Sequence, residues 1–185
     1  ETVLTSPIES KLINAAKISG RTKGGLGIGF FNAVTDKMFA TVVDQNGEER
    51  SIENQPLTNY NILVLDQTLK NASSISLVNT NVIRQGEAYD ANVSAFLFDL
   101  RNRNQRYGVR GNVKTSYIRN PLDENSNGYS YELSFRKLSG NFTWSYTQSL
   151  ADQKFDPSDM GFYTNNNFFD NDIQLSYNIY QPGNW

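Results

Sequence analysis

The chain has 185 residues, a net charge of −2 and neither cysteine nor histidine. A chain of this length can bury the core of one domain. The missing cysteines exclude disulfides and thiolate metal sites, and the missing histidines remove the commonest general base and zinc ligand. The lack of a basic excess argues against nucleic acid as a partner. We therefore predict a protein that is not an enzyme and has no catalytic residues, cofactor or metal site.

Apolar and polar residues alternate with a period of two along most of the chain, which predicts β-strands rather than helices. The alternation is clearest in residues 107–118, 129–136, 141–147 and 169–179. Fainter strands are predicted for residues 12–21, 26–34, 37–43, 60–69, 73–82 and 91–100. Residues 44–47 read as a turn and the polar stretch up to Pro56 as a loop. The total is about nine or ten strands joined by turns and polar loops.

The two faces of the predicted sheet differ in chemistry. Residues 107–118 and 129–136 are expected to pair antiparallel, so that opposite charges on neighbouring strands meet across the ladder. The polar residues predicted to face a water-filled lumen are Arg110, Lys114, Glu132 and Arg136. The residues predicted to face lipid are Val109, Val113, Tyr117, Tyr131, Leu133, Phe135, Phe142, Trp144 and Tyr146.

Three features favour an all-β antiparallel meander of long strands that forms part of a transmembrane β-barrel. Aromatic residues crowd the strand ends, as in the interfacial girdles of barrels. Charges occur in mid-strand, where a wet lumen accepts them. The predicted strand 107–118 is 12 residues long, whereas strands are usually about 5–6 residues. A soluble antiparallel sandwich produces the same alternation and remains the alternative.

Several motifs resemble binding or catalytic sites, but their details do not match those sites. The glycines of residues 24–29 miss the spacing of a nucleotide-binding loop and precede no helix, so we interpret them as strand glycines on a crowded inner face or at a bend. Residues 123–128 resemble the first half of a calcium loop, but Ser134 stands where the bidentate glutamate belongs. Acidic residues near the last loop, including Asp156 and Asp159, show no spacing that singles out a catalytic pair.

The segment 155–167 combines aromatic residues with three consecutive asparagines. We interpret it as an ordered loop that folds over or into the barrel. The alternative is a surface for sugar rings, because aromatic faces stack on sugars and amides bond their hydroxyls. Its candidate glycan contacts are Phe162, Tyr163, Asn165 and Asn166.

Four segments resemble the C-terminal barrel region of the DUF5916 family, in the same order along the chain. They are residues 14–29 (NAAKISGRTKGGLGIG), 32–35 (NAVT), 56–60 (PLTNY) and 155–162 (FDPSDMGF). Members of this family are large proteins of Bacteroidota, usually named carbohydrate-binding family 9 domain-containing proteins. They carry an N-terminal sandwich resembling a xylan-type carbohydrate-binding module, followed by a long region expected to form an outer-membrane barrel.

The resemblance implies that residues 1–185 are a single segment of a larger barrel in the cell outer membrane. Its expected role is structural, porin-like or transport-associated, with a link to glycan handling through the module that this chain lacks. Outer-membrane lipid is the expected partner, and other outer-membrane proteins or glycan are further candidates. The first and last strands, 12–21 and 169–179, are expected not to pair with each other. The alternative function is a soluble β-sheet module that binds glycans.

Overall fold

The computed structural model describes residues 2–160, 163 and 165–180, and within them almost all regular structure is β. A single 3₁₀ turn, η1, covers Ser158–Met160. Among the residues described, no helix has the length and hydropathy needed to cross a membrane. The strands are β1 (Thr2–Thr5), β2 (Leu12–Arg21), β3 (Leu26–Thr35), β4 (Met38–Val43), β5 (Glu49–Gln55), β6 (Thr58–Leu69), β7 (Ser73–Arg84), β8 (Asp90–Arg101), β9 (Tyr107–Arg119), β10 (Ser126–Lys137), β11 (Phe142–Ala151) and β12 (Phe168–Tyr177).

The described strands form two antiparallel sheets, which confirms the predicted all-β antiparallel class. Nine strands make one meander in the order β12-β11-β10-β9-β8-β7-β6-β3-β2, and β1-β4-β5 form a small second sheet. The prediction of nine or ten strands, with a loop in place of β5, is wrong. Strand β5 is exposed along nearly its whole length and contains a single apolar residue, Ile52, so it lacks the alternation that marks a strand. Its ladder with β4 holds it in place.

The register of the nine-stranded sheet separates two faces, which we call the charged face and the uncharged face. The charged face carries charged residues from seven strands, while the uncharged face has them only at strand termini, at Asp90, Arg119 and Lys137. The charged residues of the charged face are Lys17, Arg21, Asp66, Arg84, Asp99, Arg101, Arg110, Lys114, Glu132, Arg136, Asp170 and Asp172.

Burial in this sheet is the reverse of the usual pattern. On the uncharged face Leu77 is 54 % exposed and Val113 is 50 % exposed, although both lie in central strands. On the charged face Ser116, Ser130 and Ser134 are at most 6 % exposed. The connection between β11 and β12 contributes to this reversal, because the Asp156 N–H donates to Ser116 Oγ at 3.0 Å.

The large sheet does not pack face to face on a second sheet within the described residues. The substantial contacts between elements join hydrogen-bonded neighbours, and one further contact joins β7 to η1. The described part of the chain therefore lacks the two-layer core of a β-sandwich.

The strands of the large sheet are staggered in one direction. A row of direct cross-strand partners starts at Phe168 in β12, passes through one residue of every strand and ends at Ser19 in β2. Ser19 lies seven residues beyond Leu12, which begins β2 at the same end of the sheet as Phe168 begins β12. With about 3.3 Å per residue and 4.8 Å between strands, this stagger corresponds to a strand tilt of about 30°.

The nine-stranded sheet is open. Strands β2 and β12 stand at its two edges and do not pair with each other. The prediction that the first and last long strands do not pair with each other is therefore confirmed, and the described strands do not close a barrel among themselves. Every residue of β2 is exposed, and so are most residues of β12.

Close packing at Gly111 generates the first testable prediction. A Cβ atom there would lie 2.7 Å from Phe98 Cζ and 2.8 Å from the Glu132 carbonyl oxygen, whereas at Gly20 it would meet nothing within 4 Å. Replacing Gly111→Ala should therefore lower the free energy of unfolding by about 1–3 kcal/mol through overpacking, as measured by urea denaturation. The matched Gly20→Ala change should stay within about 0.5 kcal/mol. Equal effects of the two substitutions would contradict the close approach.

Candidate functional site

The four residues predicted to face a lumen lie together on the charged face of β9 and β10. The two strands pair antiparallel as expected, with Glu132 opposite Asn112. Arg110 and Lys114 face Ser134 and Ser130, so each is diagonal to Glu132. Diagonal neighbours are about 7–8 Å apart at Cα. Within the described residues Glu132 forms no ion pair, so the charges predicted to meet across this ladder do not do so.

An ion pair does form in this region, but it joins β10 to β8 across the intervening strand β9. Arg136 Nη2 donates to Asp99 Oδ1 at 2.9 Å, and Arg101 Nε donates to the same oxygen at 3.4 Å. Strand β9 runs between Arg136 and Asp99, and its residue at the crossing is Gly108, the direct partner of both arginines. A Cβ atom on Gly108 would lie 3.6 Å from Arg136 Nη2. The missing side chain therefore leaves the guanidinium room to pass over β9.

The same arrangement recurs near the other edge of the sheet. Arg21 of β2, Gly27 of β3 and Asp66 of β6 are direct cross-strand partners. Arg21 Nη2 donates to Asp66 Oδ1 at 2.6 Å, and a Cβ atom on Gly27 would lie 3.1 Å from that nitrogen. Ser76 completes the group by donating to Asp66 at 2.9 Å. The interpretation of Gly27 as a strand glycine on a crowded face is thus confirmed.

The connection from β11 to β12 crosses the charged face, and we call its described residues, 152–160, 163 and 165–167, the strap. Phe155 is 1 % exposed, and its backbone occupies the space that a Cβ atom on Gly128 of β10 would need. The backbone N–H of Asp156 donates to Ser116 Oγ of β9 at 3.0 Å. Asp159 forms an ion pair with Arg84 of β7. The strap thus reaches across the sheet from β11 to β7, as expected for a loop folding over the sheet.

Arg84, Tyr89 and Asp159 form a cluster that we call the latch. Arg84 Nη2 donates to Asp159, and Arg84 Nη1 donates to the Tyr89 carbonyl oxygen at 2.8 Å. The Tyr89 hydroxyl donates to Asp159 Oδ1 at 3.1 Å, and its ring centroid lies 4.3 Å from Arg84 Cζ. Burial raises the pKa of the Tyr89 hydroxyl, and the Asp159 carboxylate raises it further. The hydroxyl therefore stays protonated and keeps donating at neutral pH.

The residues predicted to contact glycan belong to the strap. Tyr163 packs edge-on against Phe155, with ring centroids 5.4 Å apart, and burial raises the pKa of its hydroxyl. Asn166 Nδ2 donates to the Gln153 carbonyl oxygen at 3.0 Å. Asn165 is exposed, and Phe162 lies outside the described residues. Tyr163 and Asn166 thus serve the internal structure of the strap, and their contact with sugar stays a prediction.

Among the described residues, the remaining acidic motifs do not form a metal-binding centre. In the loop that resembles a calcium site, Asp123 accepts from the Glu124 N–H at 2.8 Å and Asn125 from the Asn120 N–H at 3.0 Å, so these side chains shape turns. Across the part of the chain that the structure describes, no three acidic side chains converge on a metal position. Asp159 belongs to the latch, whereas Asp170 and Asp172 lie on β12 at the edge of the sheet.

Sequence reasoning missed a row of amides on the uncharged face. Asn32, Asn61, Asn81 and Asn92 are direct partners on four consecutive strands, and the row continues through Tyr117 of β9. Asn32 Nδ2 donates to Asn61 Oδ1 at 2.9 Å, and neighbouring Asn79 donates to Asn92 at 3.1 Å. The sequence shows asparagines two residues apart, but only the register aligns them.

Together these features define an all-β chain with an open antiparallel sheet. Mid-strand charges lie on one face of this sheet, and the strap crosses that face. The chain belongs to the DUF5916 family, a domain of unknown function, whose family model matches residues 1–185. The family inferred from the four short segments is thereby confirmed. Neither a curated protein nor a solved structure matches the chain.

The latch generates the second prediction. The Asp159 side chain is 6 % exposed, and removing one partner of a buried ion pair leaves the other charge uncompensated. Replacing Asp159→Asn should therefore free the strap and raise the rate of tryptic cleavage after Lys154 at least about tenfold, because cleavage requires local opening. The control is Asp156→Asn, which changes the strap without touching Arg84. Equal cleavage of the two variants would rule out the latch as the anchor.

Proposed function

We propose that this chain forms part of the wall of an outer-membrane β-barrel, with its uncharged face toward lipid and its charged face toward a water-filled lumen. The observation that carries the proposal is the confinement of mid-strand charges to one face. An arginine or lysine on the lipid face of a barrel costs about 2–4 kcal/mol at the bilayer midplane. In a soluble protein leucine and phenylalanine are normally buried and serine is normally exposed. The two faces of this sheet show the opposite.

The dimensions of the large sheet support this proposal. Its strands are 10 to 13 residues long, and a spanning strand needs about 9–11. The tilt of about 30° derived from the stagger is close to the roughly 35–45° of closed membrane barrels.

The predicted lipid-facing residues fit one surface. The register places all nine of them on the uncharged face, from Val109 in β9 to Phe142 in β11. The amide row extends past Tyr117 to its direct partner Asn127 of β10. It crosses this face near one rim, because Asn32 lies three residues from the end of β3 and Asn127 one residue from the start of β10. Amides in hydrocarbon are costly, and this position puts them at head-group depth.

Connection lengths give the proposed barrel an orientation. At one end the strands are joined by turns of three to five residues; at the other, the connections run from five residues to the 22 residues that contain β4 and β5. Outer-membrane barrels have short periplasmic turns and longer extracellular loops. We therefore place the strap, the latch and the small sheet at the extracellular mouth.

The role within the membrane is structural, porin-like or transport-associated. A strap across the charged face narrows the path through a lumen, and the latch fixes it there. Outer-membrane lipid is the proposed partner. A link to glycan handling, further outer-membrane proteins and an origin in Bacteroidota rest on the resemblance of the sequence motifs alone. Glycan binding by a soluble sheet is the competing function.

Lipid contact is tested with two adjacent residues on opposite faces. The chain has no cysteine, so nitroxide labels at Val113→Cys and Lys114→Cys can be compared in full-length protein, freed of other cysteines and placed in liposomes. Val113 should collide more with apolar oxygen, and Lys114 more with a water-soluble nickel complex. If both labels favour the nickel complex, the sheet is soluble. Protection of Val113 from both reagents means that protein covers the uncharged face, which also contradicts the proposal.

Orientation is tested on intact cells. Asn46→Cys lies in the turn between β4 and β5, and Asn104→Cys lies in the turn between β8 and β9 at the opposite end. A membrane-impermeant maleimide should label Asn46→Cys on whole cells and Asn104→Cys only after lysis. The reverse pattern would invert the proposed orientation.

A further inference from the structure

The two edge strands of the large sheet run in the same direction. Nine strands alternate in direction from β2 to β12, because every neighbouring pair is antiparallel. With an odd number of alternating strands, the first and the last point the same way. Both β2 and β12 begin at the end with the long connections and finish at the end with the short turns.

This direction limits how the sheet can close in a membrane. Pairing β12 with β2 of the same chain would create one parallel seam, and a ring of copies would create a parallel seam at every junction. Parallel ladders have slanted hydrogen bonds and are slightly weaker per residue. Bacterial single-chain barrels have an even number of antiparallel strands. Leaving the edges open is excluded in lipid, where each unpaired backbone group costs several kcal/mol.

We infer that β2 and β12 each pair with an antiparallel strand outside these 185 residues, and that the number of strands completing the barrel is odd. The inference rests on the proposed function and adds the kind of partner that both edges take. An odd number restores alternation at both junctions, whereas self-closure and a ring of copies do not.

Charged residues on the edge strands bear on which strands lie beside them. Asp170 and Asp172 lie on the charged face of β12 and form no ion pair within the described residues. A lysine or arginine facing the lumen on the strand beside β12 would pair with them. A ring of copies would bring Lys17 of β2 to the same place, but exposed ion pairs contribute only about 0–1 kcal/mol. That contribution does not favour a parallel seam over an antiparallel one.

The test is disulfide cross-linking in the full-length protein, freed of other cysteines and assembled in the outer membrane. Lys17→Cys is combined in turn with Asp170→Cys, Asp172→Cys and Gln174→Cys, which span the facing positions of β12. The control pair is Ser134→Cys with Thr147→Cys on β10 and β11, whose hydroxyls are 2.9 Å apart. The control pair should cross-link, and none of the three edge pairs should do so.

A disulfide within one chain would show a self-closed barrel, and a disulfide between chains would show a ring of copies; either result overturns the inference. A density map of the full-length protein should show an even strand total, with β2 and β12 separated by an odd number of strands. An even number between them would also overturn it. If the inference about the edges is wrong, the label at Val113 still shows lipid contact. If the proposed function is wrong, the label at Val113 shows no lipid contact, whichever strands lie beside β2 and β12.

Discussion

The exclusion of mid-strand charge from one face is the constraint on which the rest of the structure depends. Twelve charged side chains share the opposite face, and half of them form ion pairs within the described residues. Arg21 and Arg136 form their ion pairs by crossing over Gly27 and Gly108 to reach carboxylates two strands away. Gly27 and Gly108 are thus part of the electrostatics of the sheet, because they leave the space in which opposite charges meet.

The sequence predicts what repeats locally and misses what depends on long-range register. Strands β9 and β10 are predictable because their chemistry alternates at every residue. Strand β5 has no such signal, since neither of its faces is apolar. The asparagine row is invisible before pairing is known, because its members lie far apart in the chain. Crowding at Gly27 is predictable from its glycine-rich context, but its partner Arg21 is not.

The strap shows how a loop without regular structure becomes fixed. It is anchored by a buried aromatic residue, a backbone hydrogen bond and an ion pair, on three different strands. The sequence predicts its position over the sheet from its composition. Its attachment to Arg84 depends on side chains 75 residues apart, which no local pattern reveals.

The central claim is that the uncharged face meets lipid, and the most direct measurement is quenching of Trp144 by brominated lipids. In full-length protein with Trp144 as its only tryptophan, we predict blue-shifted emission that brominated acyl chains quench and aqueous iodide does not. Moving the indole one residue, with Trp144→Phe and Ser145→Trp, should reverse both responses because the side chain changes face. Iodide quenching of Trp144 without quenching by the lipid bromines would contradict the account.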